Sequence, residues 1–146
     1  MDPLTIIGTA GAVANIVDAI SKTISALQEL HKQWQDTELT MQNVTSQLQA
    51  LRAALTKIQE WSETNSPDQH HQLTLDLDVI LGCCRKLIAR IDTSTADLQC
   101  KPNGALTTRS RIKLVLGSRK MDLVQKMLDR QTGALTLLLT ACNWWV

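Results

Sequence analysis

The stretch Met41-Gln42-Asn43-Val44-Thr45-Ser46-Gln47-Leu48-Gln49-Ala50-Leu51-Arg52-Ala53-Ala54-Leu55-Thr56-Lys57-Ile58 places its large apolar side chains at 41, 44, 48, 51, 55 and 58. Steps that alternate between three and four keep such residues on one side of an α-helix, whereas a half-buried strand alternates every second residue. The row runs on to Trp61 and stops ahead of Asn65-Ser66-Pro67-Asp68, four residues that favour turns over helix.

Working outward, the same spacing recurs on both sides. Upstream it reads Ile6, Ala10, Val13, Val17, Ile20, Ile24, Leu27, with His31 and Trp34 continuing the row. Downstream it reads Leu73, Leu77, Ile80, Cys84, Leu87, Ile91, followed by a polar stretch that closes in Lys101-Pro102-Asn103-Gly104. A last row holds Met121, Val124, Leu128, Gln131, Leu135, Leu138 and Cys142, after a shorter apolar piece at Ile112, Val115 and Leu116 that Gly117 and Ser118 interrupt. Helices with such rows pack side by side at a shallow left-handed crossing. The expected fold is therefore all-α: a left-handed, near-antiparallel four-helix bundle over 1–146, with room for an extra short helix before the last. Asp2 and Ser118 are placed to cap the first and last helices, with Pro3 at the first helical position.

The 146 residues suit one domain. Phe and Tyr are absent, so the core must be built from Leu, Ile, Val, Ala and Met. Cys83, Cys84, Cys100 and Cys142 lack the repeated CxxC spacing of zinc and redox sites and are expected as reduced, buried thiols. The opening Met1-Asp2-Pro3 lacks the positive segment of a secretory signal. Net charge is +1, but residues 101–130 hold eight basic and two acidic side chains, for +6, which leaves 7 minus 12, or −5, elsewhere.

Catalytic chemistry finds no foothold, and the chain reads as a non-enzyme that needs no cofactor. The histidines are His31, on a helix row, and His70-His71, beside a turn, and neither setting supplies a base to a nucleophile. A metal site from Cys83, Cys84 and His70 or His71 is the one arrangement open across the start of the third helix. Gly8 and Gly11 follow no strand and precede no Lys-Ser or Lys-Thr, so they form no phosphate loop.

Leu4 to Ile20 is the least amphipathic segment, with Asp18 its only ionisable group. Such a helix is either wrapped by others at the centre of a bundle or made to meet lipid, and both readings stay open. Its 17 residues cover about 25 Å at roughly 1.5 Å each, short of the roughly 30 Å hydrocarbon layer. Arg109, Arg111, Lys113, Arg119 and Lys120 cluster before the last helix, where they suit anionic headgroups or form a solvated loop. Nucleic acid is a poorer partner, because no aromatic residues interleave with the cluster and the chain is nearly neutral. Trp34 and Trp61 read as packing lids, and Trp144-Trp145 as indoles that want a partner.

The opening Met1-Asp2-Pro3-Leu4-Thr5-Ile6-Ile7-Gly8-Thr9-Ala10-Gly11-Ala12-Val13-Ala14-Asn15 resembles the amino-terminal domain of fungal STAND receptors, the HeLo-like group. The resemblance extends through Leu51-Arg52-Ala53-Ala54-Leu55 with Trp61, Ile112-Lys113-Leu114-Val115, and Gln131 with Ala134-Leu135-Thr136-Leu137-Leu138-Leu139. It implies the effector arm of a fungal NOD-like receptor, followed by nucleotide-binding and repeat domains in cis and linked to non-self recognition and regulated cell death. By the same resemblance, Leu4, Ile6, Ile7, Val13, Ile16, Val17 and Ile20 are the membrane-inserting residues. The domain would be cytoplasmic at rest and would move to the plasma membrane or another cell membrane on activation, self-associating on anionic lipid. A non-lytic adaptor that self-associates or docks a partner through helix faces is the competing expectation.

Overall fold

The structure, a computed structural model, describes residues 3–33, 39–64, 71–99 and 119–144. These form four helices and no strand: α1 (Pro3–Gln33), α2 (Leu39–Thr64), α3 (His71–Gln99) and α4 (Arg119–Trp144). The chain is an all-α four-helix bundle. The starts at Pro3 and Arg119 coincide with the expected first helical positions. The short helix expected before α4 lies outside the described residues.

The described members of each row read from the sequence turn inward, fully or in part. All six members of the α2 row are buried, from Met41 to Ile58. The other helices bury a wider arc than a strict three-four row. Ile16 and Leu30 join the α1 row, and Leu81 and Ile88 join the α3 row. The reason is the square cross-section: α1 and α4 each pack against both α2 and α3, so each helix must cover two neighbours. α1 and α4 lie diagonally opposite, as do α2 and α3.

Side-chain ties set the directions. Arg52 Nη1 donates to Ser21 Oγ at 3.2 Å, while Met41 and Thr45 line the same groove as Leu27 and His31. Later residues of α1 meet earlier residues of α2, so that pair is antiparallel. Asn43 Nδ2 donates to Gln125 Oε1 at 3.3 Å and Gln47 Nε2 to Asp129 Oδ1 at 3.1 Å. Both members advance together, so α2 and α4 run parallel. The chain from Thr64 to His71 reaches at most about 25 Å, and α2, at 26 residues, is about 39 Å long. α3 therefore starts where α2 stops and runs back parallel to α1, to which it is tied by the Thr23 hydroxyl bonded to the Asp92 carboxylate.

The polar stretch after Ile91 is helical through Gln99. Its threonines turn their hydroxyls onto the carbonyls one turn back: Thr93 to Ala89 at 2.9 Å and Thr95 to Ile91 at 2.8 Å. That bond satisfies the hydroxyl inside the helix, and Thr95 is accordingly buried in a core position. Thr132, Thr136 and Thr140 do the same along α4.

Candidate functional site

The helix face expected to meet lipid divides where description of its side chains begins. Leu4, Ile6 and Ile7 belong to α1, but their side chains lie outside the described residues. Val13, Ile16 and Ile20 are buried in the core, and Val17 packs partly against it. The outward positions described from residue 11 onward are Gly11, Ala14, Asn15, Asp18, Lys22, Ser25, Gln28, Glu29 and Lys32. α1 is therefore a corner helix with an ordinary solvent side, not a central helix wrapped on every side. Its opening part looks apolar in sequence partly because Gly11 and Ala14 share the outer face there with Asn15 and Asp18. Asp18 and Lys22 pair there at 3.2 Å, largely exposed, a contact of small energetic weight. No helix is long and apolar enough to cross a membrane, among the described residues.

Attachment of α1 to its neighbours is uneven along its length. Ser21 accepts from Arg52 of α2, and Thr23 bonds Asp92 of α3. Both described polar ties fall past the helix midpoint. The stretch from Ala12 to Ile20 packs through Ala12, Val13, Ile16, Val17, Ala19 and Ile20.

Of the basic cluster, Arg119 and Lys120 are exposed in the first turn of α4, and Arg109, Arg111 and Lys113 lie outside the described residues. Trp61 is half-buried near the end of α2; Trp34 and Trp145 lie outside the described residues, as does the side chain of Trp144.

The cysteine and histidine candidates do not converge. Cys84 is buried and Cys83 is exposed, correcting the expectation that both thiols are buried. Consecutive helix residues diverge by roughly 100°, so only one of the two fits the core row. Burial, with the neighbouring Cys83 second, pushes the Cys84 thiol up to about 12, which holds it protonated and unreactive near neutrality. His71 is itself the first residue of α3. Twelve residues along one helix separate it from Cys83 by about 18 Å, so the two cannot share a metal within one chain. No group of three or more His, Cys, Asp or Glu is placed to hold a metal ion, among the described residues.

His31 is half-buried, as its row position suggests, and lines a groove of about 160 Å³ between α1 and α2. Leu27 and Met41 also line it, with Gln28, Gln42, Thr45, Ser46 and Gln49. Apart from His31, the polar groups on those walls are neutral amides and hydroxyls. Comparison with known proteins returns no relative: no family model, no curated protein and no solved structure matches the chain.

The sequence reading missed α4's outer side. Among the described residues α4 buries four large apolar side chains, Met121, Val124, Leu128 and Leu135, against six in α1, six in α2 and five plus Cys84 in α3. It leaves three in solvent, Leu123, Met127 and Leu137. A search for a second three-four row on the same helix would have found them.

Proposed function

We propose that this bundle is the cell-death effector or signalling arm of a fungal NOD-like receptor, acting by self-association and membrane permeabilisation with α1 as the element that moves. The observation that carries this reading is the uneven attachment of α1. Its stretch from Ala12 to Ile20 is seated by packing, while the described polar ties, at Ser21 and Thr23, hold the part just beyond. Removing that stretch from the core exposes Val13, Ile16 and Ile20 to water, at a cost of roughly 1.5–3 kcal/mol for each large side chain. An anionic bilayer and clustering of several copies offset that cost by offering the same side chains an apolar setting. The segment is too short to act as a lone span, so the lesion requires several copies or a locally thinned bilayer.

A second reading, a non-lytic helical adaptor, is favoured by the exposed apolar side chains on α4 and by the lack of a spanning helix among the described residues.

One experiment separates them. Asn15 and Glu29 are both exposed on α1. Asn15→Cys or Glu29→Cys, with Cys83, Cys100 and Cys142 changed to Ser, is labelled with an environment-sensitive dye and mixed with cardiolipin-containing liposomes loaded with a second dye. The effector reading expects leakage together with a blue shift at position 15 and none at 29. Leakage without a change at 15 removes α1 from the mechanism. No leakage even after forced clustering leaves the adaptor.

A further inference from the structure

Along α4, Leu123, Met127, Arg130, Ala134, Leu137 and Ala141 follow one another at steps of four, three, four, three and four. This is a second heptad row, set roughly 200° around the helix from the core row that begins at Met121. It faces away from the bundle. Leu123 is 51% exposed, Met127 38% and Leu137 72%; Arg130 is exposed, and Ala134 and Ala141 are half-buried. A bundle helix needs one such row for its own core, and α4 has two.

Charge on this helix is sorted by side. Asp129 accepts from Gln47 of α2, and Asp122, two turns earlier, lies on that same flank. The other charged side chains of α4, namely Arg119, Lys120, Lys126 and Arg130, are exposed and all basic. The outer row is thus a narrow apolar seam with a cationic fringe.

From this we infer that the outer face of α4 docks an acidic amphipathic helix of a partner protein, its apolar residues seated on Leu123, Met127 and Leu137 and its carboxylates on Lys126 and Arg130. Three features select that occupant. Alternating steps of three and four are the spacing by which one helix receives another, and the alanines let the backbones approach. A second copy docking symmetrically through this face would set Lys126 and Arg130 against their own counterparts in a parallel pairing, or against each other in an antiparallel one centred between them, and like-charge repulsion opposes both. A lipid-binding face presents a broad arc of large apolar groups, whereas this row is one residue wide with two alanines in it. The inference does not rest on the membrane reading, since it uses the opposite corner of the bundle from α1.

The test uses the 146-residue chain and a fluorescent peptide of repeated heptads with Leu at a and d and Glu at e and g, whose own negative charge discourages self-pairing. Fluorescence anisotropy should show binding that weakens with salt. The matching peptide with Lys at e and g should not bind. Leu123→Glu with Leu137→Glu, and separately Lys126→Glu with Arg130→Glu, should each weaken binding by roughly tenfold or more. Circular dichroism should be unchanged, because all four side chains are in solvent. Absence of binding by the Glu peptide, equal binding by the Lys peptide, or full binding by both double variants would overturn the inference. So would loss of binding to anionic vesicles in the Leu123/Leu137 variant when the Glu peptide never binds, which would make the face a lipid contact.

Discussion

Replacing Ile20 by Ala tests how firmly the bundle holds α1. Ile20 is fully buried and lies at the end of the stretch held by packing. The truncation removes three carbons, about 2.4 kcal/mol of transfer free energy at roughly 0.8 kcal/mol each. The space left behind raises the cost within the range of about 2–5 kcal/mol seen for such changes, and alanine's better helix propensity returns about 0.4 kcal/mol. The net loss is about 3 kcal/mol, a large share of the roughly 5–15 kcal/mol that small domains possess. With a urea slope of about 2 kcal/mol per molar, the unfolding midpoint followed by circular dichroism drops by about 1.5 M. Asn15→Ala, on the exposed side of the same helix, should move stability by less than about 0.5 kcal/mol. A midpoint shift below about 0.5 M for Ile20→Ala, or equal shifts for the two variants, would refute the seating of α1 described here.

Alkylation of the native protein at pH 8, mapped by mass spectrometry, should modify Cys83 quickly and spare Cys84 until urea is added. Because burial raises the Cys84 thiol from 9.0 to about 12, the stability it contributes is complete below pH 9 and is lost as pH rises from 9 toward 12. The variant Cys84→Ala, less stable at neutral pH, should show a shallower decline over that window in urea titrations. Gln47→Met should keep or raise the thermal midpoint, because it removes a buried amide oxygen that has no hydrogen-bond partner, while the amide nitrogen's two acceptors, Asp129 and the Gln125 carbonyl, retain water or the helix ladder. A clear drop would show that the α2–α4 amide ties are worth more than the oxygen costs.

Particular residues show how far the sequence could be read. The α2 row was legible in full, because every third or fourth residue there is large and the positions between are polar or alanine. Ile16, Leu30, Leu81 and Ile88 escaped the reading because a three-four row describes contact with one neighbour, and each helix here has two. The polar stretch after Ile91 carried no apolar row to follow, and the back-bonded hydroxyls show how its threonines sit in a helix. Periodicity also says which side of a helix faces inward without saying toward which neighbour, so the placement of α2 diagonal to α3 was not readable. Of the basic fringe of α4 only Arg119 and Lys120 were read as part of a cluster; Lys126, Arg130 and the exposed leucines acquire a common side once the core row is known.

The pairing of parallel neighbours bears on the order in which the chain assembles. Arg52 and Ser21 lie 31 residues apart in sequence, so α1 and α2 close a short loop and can zip together as soon as both are made. The ties between parallel helices span 69 residues for Thr23 and Asp92 and 82 for Gln47 and Asp129. Closing longer loops is entropically costlier, by about 0.6 kcal/mol per doubling, and contacts of high sequence separation slow folding. During synthesis the α1–α2 hairpin therefore waits with the α4-facing side of its core row uncovered until Arg119–Trp144, the last of the four bundle helices, arrives to cover it.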